Sequence, residues 1–455
     1  MPKQNILLIM ADQLRADWLG AAGHPAIATP HIDALAKRGM RFSKAACNSP
    51  LCAPSRISLA GGYYPHRLGA LDNNANFPAD RETYYQVLRR HGYRTGVVGK
   101  TDLHKADHWY GLSGDLPLLY HLGFTDPVDT EGKMNAAQPA TDEHGEWAPV
   151  GPYQAHLAKE GLLDAFVEDY AMRRRRPVYF AAPSVLPEAD FHDSYIGQKA
   201  CDMLDNLSAQ SPWHLFVSFV GPHDPWDPPA SRLARQRDTA YPASVPLVAE
   251  GKPRWVQERA GRQSAGMSAG DALEVKRHYA AAIELIDDWV GRMIDVLSER
   301  GMLENTTVIF TADHGELMGD HGMFQKSAMY EGALRVPLIV AGPTVQAGAV
   351  SEALVSLVDL YPTILSLAGV APADDLDGVS ITPLLSGETD RRQRYQFSEL
   401  RHCRMIFDGR YKLIESVNDE TELYDLVIDP LEAHNIAHSE AGKKRELQAM
   451  LQTIR

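Results

Sequence analysis

Four short apolar segments, each followed by polar residues, constrain the fold of this chain more than any other feature of its sequence. The segments are NILLIM, TGVVG, LFVSFV and TTVIFTA. The polar residues that follow them are, in chain order, Asp12 and Gln13, Lys100, His223, and Asp313 and His314. Because ligands bind beyond the carboxyl ends of strands in open α/β sheets, these four ends predict neighbouring strands that share one site.

Longer segments with a helical repeat separate the apolar runs. This alternation predicts an α/β fold in which helices sandwich a large, central, mostly parallel sheet. The clearest helix is residues 271–301, where apolar side chains recur with a period of 3.6 and Gly301 follows as a stop. Residues 30–40 and 354–370 are also predicted to be helical, whereas residues 101–161 are predicted to be rich in loops that shape a pocket.

The C-terminal part of the chain has a different pattern, which predicts a second domain. A turn-rich, charged stretch, GVSITPLLSGETDRRQR, follows the last core helix. After it, YQFSEL, CRMIFDGRYKLIES and ETELYDLVIDP are typical of antiparallel strands, and GKKRELQAMLQTI of a closing helix. We therefore expect a catalytic domain of residues 1–385 and a small C-terminal α+β domain of residues 386–455.

Charge and cysteine content restrict the class of protein. The chain of 455 residues has a net charge of −14, which argues against binding to nucleic acid, although a single pocket can still be positive. Its four cysteines are too few and too scattered for a disulfide framework. No segment approaches the roughly 20 apolar residues of a membrane span, so we expect a cytoplasmic protein without a membrane partner.

Two of the strand ends carry an oxygen-rich donor set. It consists of two carboxylates, one amide and one imidazole, from Asp12, Gln13, Asp313 and His314. Such a set suits Ca²⁺, Mg²⁺ or Mn²⁺ better than a thiolate-type zinc site. The competing interpretation is that each aspartate caps a following helix, which is common for a single aspartate. Two such pairs at two strand ends favour the metal site.

Several basic residues are candidates to bind an anion or to transfer a proton. The anion-binding candidates are Arg56, Lys100 and Lys326, and the proton-transfer candidates are His104 and His223. Taken singly, each is more often a surface charge or a hydrogen-bonded histidine. The phrase GPHDPWDPP favours a role for His223, because its prolines fix the loop. The run of residues 173–176, four arginines, is predicted to be a solvated helix end.

The segment NSPLCAPSRISLAGG contains the candidate nucleophile, Cys52. Pro54 is typical of the first turn of a helix, so Cys52 is expected at a positive helix N-terminus, where a thiol becomes more acidic. A packed thiol, a metal ligand and a nucleophile are all compatible with that position. A soft thiolate matches a hard metal site poorly, however, which favours an oxygen as the reacting group.

The pentapeptide CAPSR matches the C-x-P-S-R signature of the type I sulfatases, and further blocks resemble the same family. The blocks are NILLIMADQ, TPHIDALAKRGMRFSKAACNSPLCAPSRISLAGG, GYRTGVVGK, FVGPHDPW, TADHGELMGDHGMFQKSAMYEGALRVPLIV and ELYDLVIDPLEAHN. Six ordered blocks over nearly the whole chain make the resemblance specific. It implies an alkaline phosphatase-like fold, with a mixed central sheet between helices and a small C-terminal sheet domain.

The resemblance also implies roles for individual residues. In this family the signature cysteine is oxidised to formylglycine, so Cys52 would be the precursor and a formylglycine-generating maturation enzyme would be a partner. The hydrated aldehyde would attack sulfur with the help of one divalent metal ion, and Arg56 would hold it. The metal ligands would be Asp12, Gln13, Asp313 and His314. The groups around the sulfate would be Lys100, His104, His223 and Lys326, and Asn73 would line the substrate site.

Three departures from the common pattern indicate a branch of the family. Asp12-Gln13 and Asp313-His314 stand where many sulfatases have Asp-Asp and Asp-Asn. The common lysine–tryptophan–histidine phrase is here GKTDLH, in which His104 lies two positions later, so its role is left open. These features resemble bacterial choline sulfatases, arylsulfatases and phosphonate monoester hydrolases. NSPLCAPSR and ALDNNANFPAD are particularly similar to choline sulfatases. Ca²⁺ is the expected ion, with Mn²⁺ as the alternative.

The expected activity is therefore hydrolysis of small-molecule organic sulfate monoesters, aryl or small alkyl. Hydrolysis of phosphonate monoesters or phosphodiesters by the same site is the alternative, and a non-catalytic binding protein on the same scaffold is a third interpretation. We expect residues 101–161 and 238–267 to determine the leaving group. A homo-oligomer is also expected from the resemblance.

Overall fold

A computed structural model of the chain describes residues 3–141, 144–388 and 395–454. Its strands are β1 Asn5–Asp12, β2 Met40–Ala46, β3 Arg94–Gly99, β4 Asp126–Asp129, β5 Ala140–Thr141, β6 Trp147–Ala148, β7 Trp213–Pro222, β8 Thr306–Ala312, β9 Leu338–Ala341, β10 Ala349–Ser356, β11 Gln396–Leu400, β12 Cys403–Phe407, β13 Tyr411–Ser416 and β14 Glu422–Asp425. Its helices are α1 Pro30–Arg38, α2 Cys52–Gly61, α3 Tyr84–Arg90, α4 Pro117–His121, α5 Lys133–Ala136, α6 Pro152–Lys159, α7 Leu163–Arg173, α8 His192–Asn206, α9 Ala230–Leu233, α10 Arg254–Gln263, α11 Ala269–Glu299, α12 Glu331–Leu334, α13 Leu360–Leu367, α14 Thr382–Leu385 and α15 Ala441–Gln452.

Eight of the strands form one large sheet in the order β10-β2-β9-β8-β1-β7-β3-β4. Strand β9 is antiparallel to both of its neighbours, and all the other pairs are parallel. Every residue of β1 is buried, which explains why its sequence is a continuous apolar run rather than an alternating one. The predicted mostly parallel α/β sheet is confirmed.

Two groups of helices cover this sheet. Helices α1, α8 and α11 pack together against β7, β3 and β9, and helices α2, α3 and α13 form the second group. Helix α11 begins with a capping box between Ser268 and Asp271, and Gly301, with a φ of 64°, follows its end as predicted. Among the described helices, none combines the length and hydropathy that crossing a bilayer requires.

The predicted antiparallel strands near the C-terminus are also confirmed, as the four-stranded sheet β11-β12-β13-β14. This sheet lies beside the edge of the large one, where Gln396 Nε2 donates to the carbonyl oxygens of Lys44 and Val355 at 2.6 and 2.7 Å. Helix α15 packs on β12 and β13. A division at residues 385 and 386 stays a prediction, and residues 389–394 of the turn-rich stretch lie outside the described part of the chain.

Three local predictions need correction. Residues 354–370 are not one helix, because residues 354–356 end strand β10, where Val355 pairs with Ala45, and only Leu360–Leu367 are α-helical. A continuous apolar run fits a buried strand as well as a buried helix. The segment 101–161 supplies β4, an edge strand of the large sheet, in addition to loops. Arg173 is buried and paired with Asp169 at 2.7 Å rather than solvated.

Candidate active site

The carboxyl ends of four adjacent parallel strands meet at one edge of the large sheet. The strands lie in the order β8-β1-β7-β3, so the sheet brings together the polar residues that follow each of them. Those residues are Asp313 and His314 after β8, Asp12 and Gln13 at the end of β1, His223 after β7 and Lys100 after β3. All of them are buried. Residues up to 300 positions apart in the chain thus converge, as the sequence predicts.

Four side chains form a compact group of ligand atoms. Asp12, Cys52, Asp313 and His314 each offer one atom, and these atoms all lie within 4.8 Å of one another. The Cys52 Sγ atom is 3.2 Å from His314 Nε2 and 3.8 Å from Asp12 Oδ1. Two carboxylates this close in a buried site repel each other, and a divalent cation between them would remove that repulsion.

The orientation of His314 also fits a metal site. Its Nδ1 lies 3.0 Å from the carbonyl oxygen of Gly315 and donates to it, which directs Nε2 into the cluster. Asp313 is fixed in turn, because its Oδ1 accepts the backbone N–H groups of Gln13 and His314 at 3.0 and 2.9 Å. The donor set is therefore both close-packed and held in position.

Cys52 is the first residue of helix α2 and is buried. Leu51, the residue that precedes the helix, provides no side-chain cap, but Asn73 Oδ1 accepts the Ala53 N–H at 3.1 Å. Burial raises the pKa of the Cys52 thiol, yet the ammonium groups of Lys100 and Lys326 outweigh it and hold that pKa well below the usual range. An anionic group at this position is thus stabilised by its surroundings.

Arg56 lies one helical turn after Cys52 and connects several strand ends. Its Nε donates to Asp313 Oδ2 at 2.8 Å, and its Nη1 donates to the Lys100 carbonyl oxygen and to Ser218 Oγ, each at 2.7 Å. Its Nη2 is buried without a hydrogen-bond partner among the described residues, 3.7 Å from Asp12 Oδ2. Arg56 therefore holds the site together, and the two N–H groups of its Nη2 remain without a hydrogen-bond acceptor among the described residues.

Two lysines and one histidine lie beside the ligand cluster. Lys100 Nζ contacts Asp12 and lies 3.1 Å from Asp102 Oδ2. Lys326 Nζ donates to Gln13 Oε1 at 2.6 Å and contacts His223 Nε2. The His223 Nδ1 atom donates to the Asp224 carbonyl oxygen at 2.5 Å, so its Nε2 faces the site.

Gln13 and His104 are placed differently from the other predicted site residues. The Gln13 amide oxygen accepts from Lys326, and its Nε2 donates to Asp224 Oδ1 at 3.2 Å and contacts Glu316. His104 is buried with Nε2 at 2.7 Å from Asp129 Oδ2. It does not line the cavity described next, and its proton-transfer role stays a prediction.

A cavity of about 240 Å³ opens onto these groups. The buried residues that line it, called the floor here, are Asp12, Cys52, Lys100, Gly132, Lys133, His223 and Lys326. The half-buried residues that line it, called the rim here, are Asn73, Lys105, Met134 and Asn135. Larger cavities lie elsewhere, one of about 430 Å³ between the two sheets and one of about 590 Å³ beside helices α13 and α14, so cavity size does not mark the converging groups.

Sequence reasoning missed several residues that hold this site in place. Lys133 donates to the carbonyl oxygens of His223 and Pro225, both at 2.8 Å, and so fixes the loop after β7. Asp102 lies between Lys100 and Lys105, and Asp224 accepts from Gln13 and Gln325. Asp102 and Asp224 lie inside the quoted blocks GKTDLH and GPHDPW, which was the available signal. No such signal marked Lys133, because it contacts the site from a separate segment, at the start of helix α5.

Comparison with known proteins gives matches over nearly the whole chain. A family model described as Sulfatase matches residues 4–370, and one described as N-sulphoglucosamine sulphohydrolase, C-terminal, matches residues 319–454. A choline-sulfatase of Rhizobium meliloti is 28% identical over 458 residues, which cover 97% of this chain and 83% of the relative. An arylsulfatase of Clostridium perfringens is 28% identical over 459 residues, covering 97% of this chain and 92% of the relative.

A solved structure is similar over the same length. The phosphonate monoester hydrolase of Agrobacterium radiobacter aligns with a TM-score of 0.81 at 25% identity. The alignment covers 100% of this chain and 95% of that protein. The similarity therefore includes both sheets and the strand ends that carry the site.

Proposed function

The chain belongs to the sulfatase family of sulfuric ester hydrolases, and on that premise we propose that it hydrolyses aryl or small alkyl sulfate monoesters with formylglycine made from Cys52. The observation that carries the proposal is the position of Cys52. Its Sγ lies within the buried ligand cluster and on the floor of a cavity that also presents Lys100 and Lys326. A sulfate monoester is an anion, and this floor combines a reactive position with cations that can bind it.

One divalent metal ion is proposed for the cluster, Ca²⁺ first and Mn²⁺ as the alternative. Asp12, Asp313 and His314 would hold it, and Gln13 is the further predicted ligand. Bound there, the ion would supply positive charge that polarises the reacting oxygens and stabilises charge in the transition state. The hydrogen bonds of Asp313 and His314 to backbone groups keep their ligand atoms in place for it.

The Cys52 Sγ atom stands where the formylglycine oxygens would be. A maturation enzyme with its own oxidant would remove two electrons from the side chain, and exchange of sulfur for a water oxygen would leave the aldehyde and release sulfide. The hydrated aldehyde supplies two hydroxyl groups, one to attack sulfur and one whose proton loss expels the sulfate. Arg56, whose Nη2 has no hydrogen-bond partner among the described residues, would donate a hydrogen bond to this group.

Lys100 and Lys326 would bind the sulfate oxygens and stabilise the charge that develops on them. His223 and Lys326, which are in contact, would hold the proton that the leaving oxygen accepts. The Nδ1 bond of His223 to the Asp224 carbonyl keeps its Nε2 directed at that position. Each role belongs to a residue that lines the cavity floor.

Phosphonate monoester or phosphodiester hydrolysis is the second candidate. It is favoured by the similarity to a phosphonate monoester hydrolase over the whole chain and by the Asp12-Gln13 and Asp313-His314 pairs. The same nucleophile and cations would serve an attack on phosphorus. The two candidates therefore differ in the group attacked and not in the residues used.

A kinetic comparison decides between them. One metal-loaded preparation is assayed with a 4-nitrophenyl sulfate and with the phenylphosphonate ester of the same phenol. The sulfatase proposal predicts the larger kcat/KM for the sulfate. A preference for the phosphorus ester by several decades would reject it. Size-exclusion chromatography with light scattering on the same sample tests the predicted homo-oligomer.

A further inference from the structure

The rim of the active-site cavity has a distinctive composition. Its four residues are two amides, one thioether and one ammonium group, from Asn73, Asn135, Met134 and Lys105. The rim contains no carboxylate and no aromatic ring among the described residues. Because the rim surrounds the route from the floor to solvent, it contacts the part of a substrate that leaves as the alcohol or phenol.

The other lysines of the cavity are already occupied. Lys133 donates to the carbonyl oxygens of His223 and Pro225 and forms a buried ion pair with Asp227 at 2.5 Å, so its charge is compensated. Lys326 Nζ donates to Gln13 Oε1 and contacts His223 Nε2. Lys100 pairs with Asp12 and Asp102, also on the floor. Lys100 and Lys326 are assigned above to the sulfate and the ester oxygen, and the charge of Lys133 is compensated, so none of the three is proposed to bind the remote part of a leaving group.

Lys105 differs from these three lysines, because it lies at the rim and has fewer partners. Its single partner among the described residues is Asp102 Oδ2 at 2.6 Å, so two N–H groups remain, and 16% of its side chain is exposed. The same Asp102 oxygen lies 3.1 Å from Lys100 Nζ. One carboxylate is therefore shared by two ammonium groups, and the charge of Lys105 is only partly compensated.

This shared carboxylate also fixes the distance of Lys105 from the reacting centre. The separations of 2.6 and 3.1 Å from the common Oδ2 atom limit the two ammonium nitrogens to at most about 5.7 Å apart. An anionic group a few bonds from the ester oxygen would be within reach of Lys105 while Lys100 contacts the sulfate. Asn73 adds a second donor, because its Oδ1 is bound by the Ala53 N–H and its Nδ2 has no acceptor among the described residues.

We propose that Lys105 binds an anionic group on the leaving part of the substrate, so that sulfate esters of carboxylate- or sulfonate-bearing alcohols and phenols are preferred. This inference rests on the function proposed above and specifies its substrate class. A quaternary ammonium group, as in a choline ester, is disfavoured at the same place, since it needs an aromatic face or a carboxylate and the rim offers neither. The similarity to a choline-sulfatase therefore does not extend to the leaving group.

The test uses matched phenyl sulfates with 3-carboxylate, 3-sulfonate, 3-carboxamide or 3-trimethylammonium substituents. The wild type is expected to prefer the two anionic esters over the carboxamide. In Lys105→Gln the ratio of kcat/KM for carboxylate over carboxamide falls about tenfold or more, as expected for loss of a charged hydrogen bond. Because the same esters are compared in both proteins, differences in their intrinsic reactivity cancel. Lys105→Arg should keep most of the ratio, and Lys159→Gln, an 81% exposed lysine, should keep all of it.

Two results would overturn the inference. An equal loss of kcat/KM for all the esters in Lys105→Gln would mean that Lys105 acts only through Asp102 on Lys100. A wild-type preference for the trimethylammonium ester would reverse the charge assignment. Calorimetric binding of the same esters to Cys52→Ala protein gives the ratio without turnover. If the enzyme hydrolyses phosphonates rather than sulfates, assays with the corresponding phosphonate esters would reveal it. The binding measurement tests the role of Lys105 in either case.

Discussion

Two clusters of buried charge in this protein look alike in composition and differ in organisation. One is the active-site floor. The other, called the junction cluster here, lies between the two sheets and consists of Lys252, Lys412, Glu331, Glu422 and Glu432. Both contain buried lysines and carboxylates, although Glu331 of the junction cluster is half-buried, and each borders a cavity. Burial of charge and the presence of a cavity therefore do not distinguish them.

The difference lies in where the charged atoms point. In the junction cluster Lys412 pairs with Glu331 at 2.8 Å and contacts Glu432, and Lys252 donates to Tyr424 Oη and to the Glu432 carbonyl, each at 2.7 Å. Lys252 also lies 4.2 Å above the Tyr330 ring. These contacts join separate segments of the chain, so the cluster serves packing of the small sheet.

At the base of the active-site cavity, by contrast, ligand atoms of Asp12, Cys52, Asp313 and His314 converge within 4.8 Å. Among the described residues Arg56 Nη2 has no hydrogen-bond partner, and the Nε2 of His314 faces the cluster. Atoms of like charge gathered around one point are costly unless something binds there. Four buried ligand atoms that converge beside a lysine-lined cavity therefore distinguish the candidate active site from the junction cluster.

The largest effect on stability is expected for Lys412→Met. Removing this cation leaves the buried Glu432 and the half-buried Glu331 without it, and loss of the buried pair should lower the free energy of unfolding by about 3–5 kcal/mol. The kcat/KM of the folded fraction should stay within about threefold, because Lys412 is remote from the floor residues. Urea unfolding and initial rates measure both quantities. Arg404→Met, which breaks an exposed pair with Glu415, is the control and should cost less than about 1 kcal/mol.

Lys326→Gln should show the opposite behaviour. Loss of a cation that stabilises transition-state charge typically lowers kcat/KM about 10²–10³-fold. The stability loss should be smaller than that of Lys412→Met, since the amide introduced by the substitution can still bond Gln13 or His223. If Lys326→Gln mainly unfolds the protein while Lys412→Met mainly lowers the rate, the distinction between the two clusters fails.

A smaller effect is expected at Glu131, a buried carboxylate behind the cavity floor. Its oxygens accept the backbone N–H groups of Tyr153 and Gln154 at 3.2 and 3.1 Å, and burial raises its pKa to about 7 from 4.5. The folded state therefore binds a proton more tightly than the unfolded state, and stability falls as the pH rises from 4.5 to 7. Relative to Glu131→Gln, the wild type should lose about 2–3 kcal/mol over this range. Parallel stability curves for the two proteins would contradict the raised pKa.

The sequence was most informative where physical rules act on short segments. Four apolar runs with polar ends were enough to predict a parallel sheet and a shared edge, because strands of such a sheet present their carboxyl ends together. The same signal correctly grouped Asp12, Lys100, His223 and Asp313 at that edge. The small antiparallel sheet followed from alternation and turns.

Other features depended on contacts that no local pattern encodes. Residues 354–356 are extended because they pair with β2, about 300 positions earlier, and an apolar run alone does not reveal this. His104 lies against Asp129 rather than in the cavity, and Lys105, its neighbour in sequence, lies at the rim instead. A difference of one residue decides which of the two lines the cavity, and the spacing within GKTDLHK does not determine it.

The mass of the tryptic peptide of residues 45–56 tests the central claim most directly. This peptide contains both Cys47 and Cys52, so it carries an internal reference thiol. In protein made with a maturation enzyme and active on a sulfate ester, the account predicts one alkylated cysteine, Cys47, and an aldehyde in place of the Cys52 thiol. Cys52→Ala protein should lack the aldehyde and lose at least about 10⁴-fold in kcat. Two alkylated thiols in a preparation that hydrolyses the ester at full rate would contradict the account.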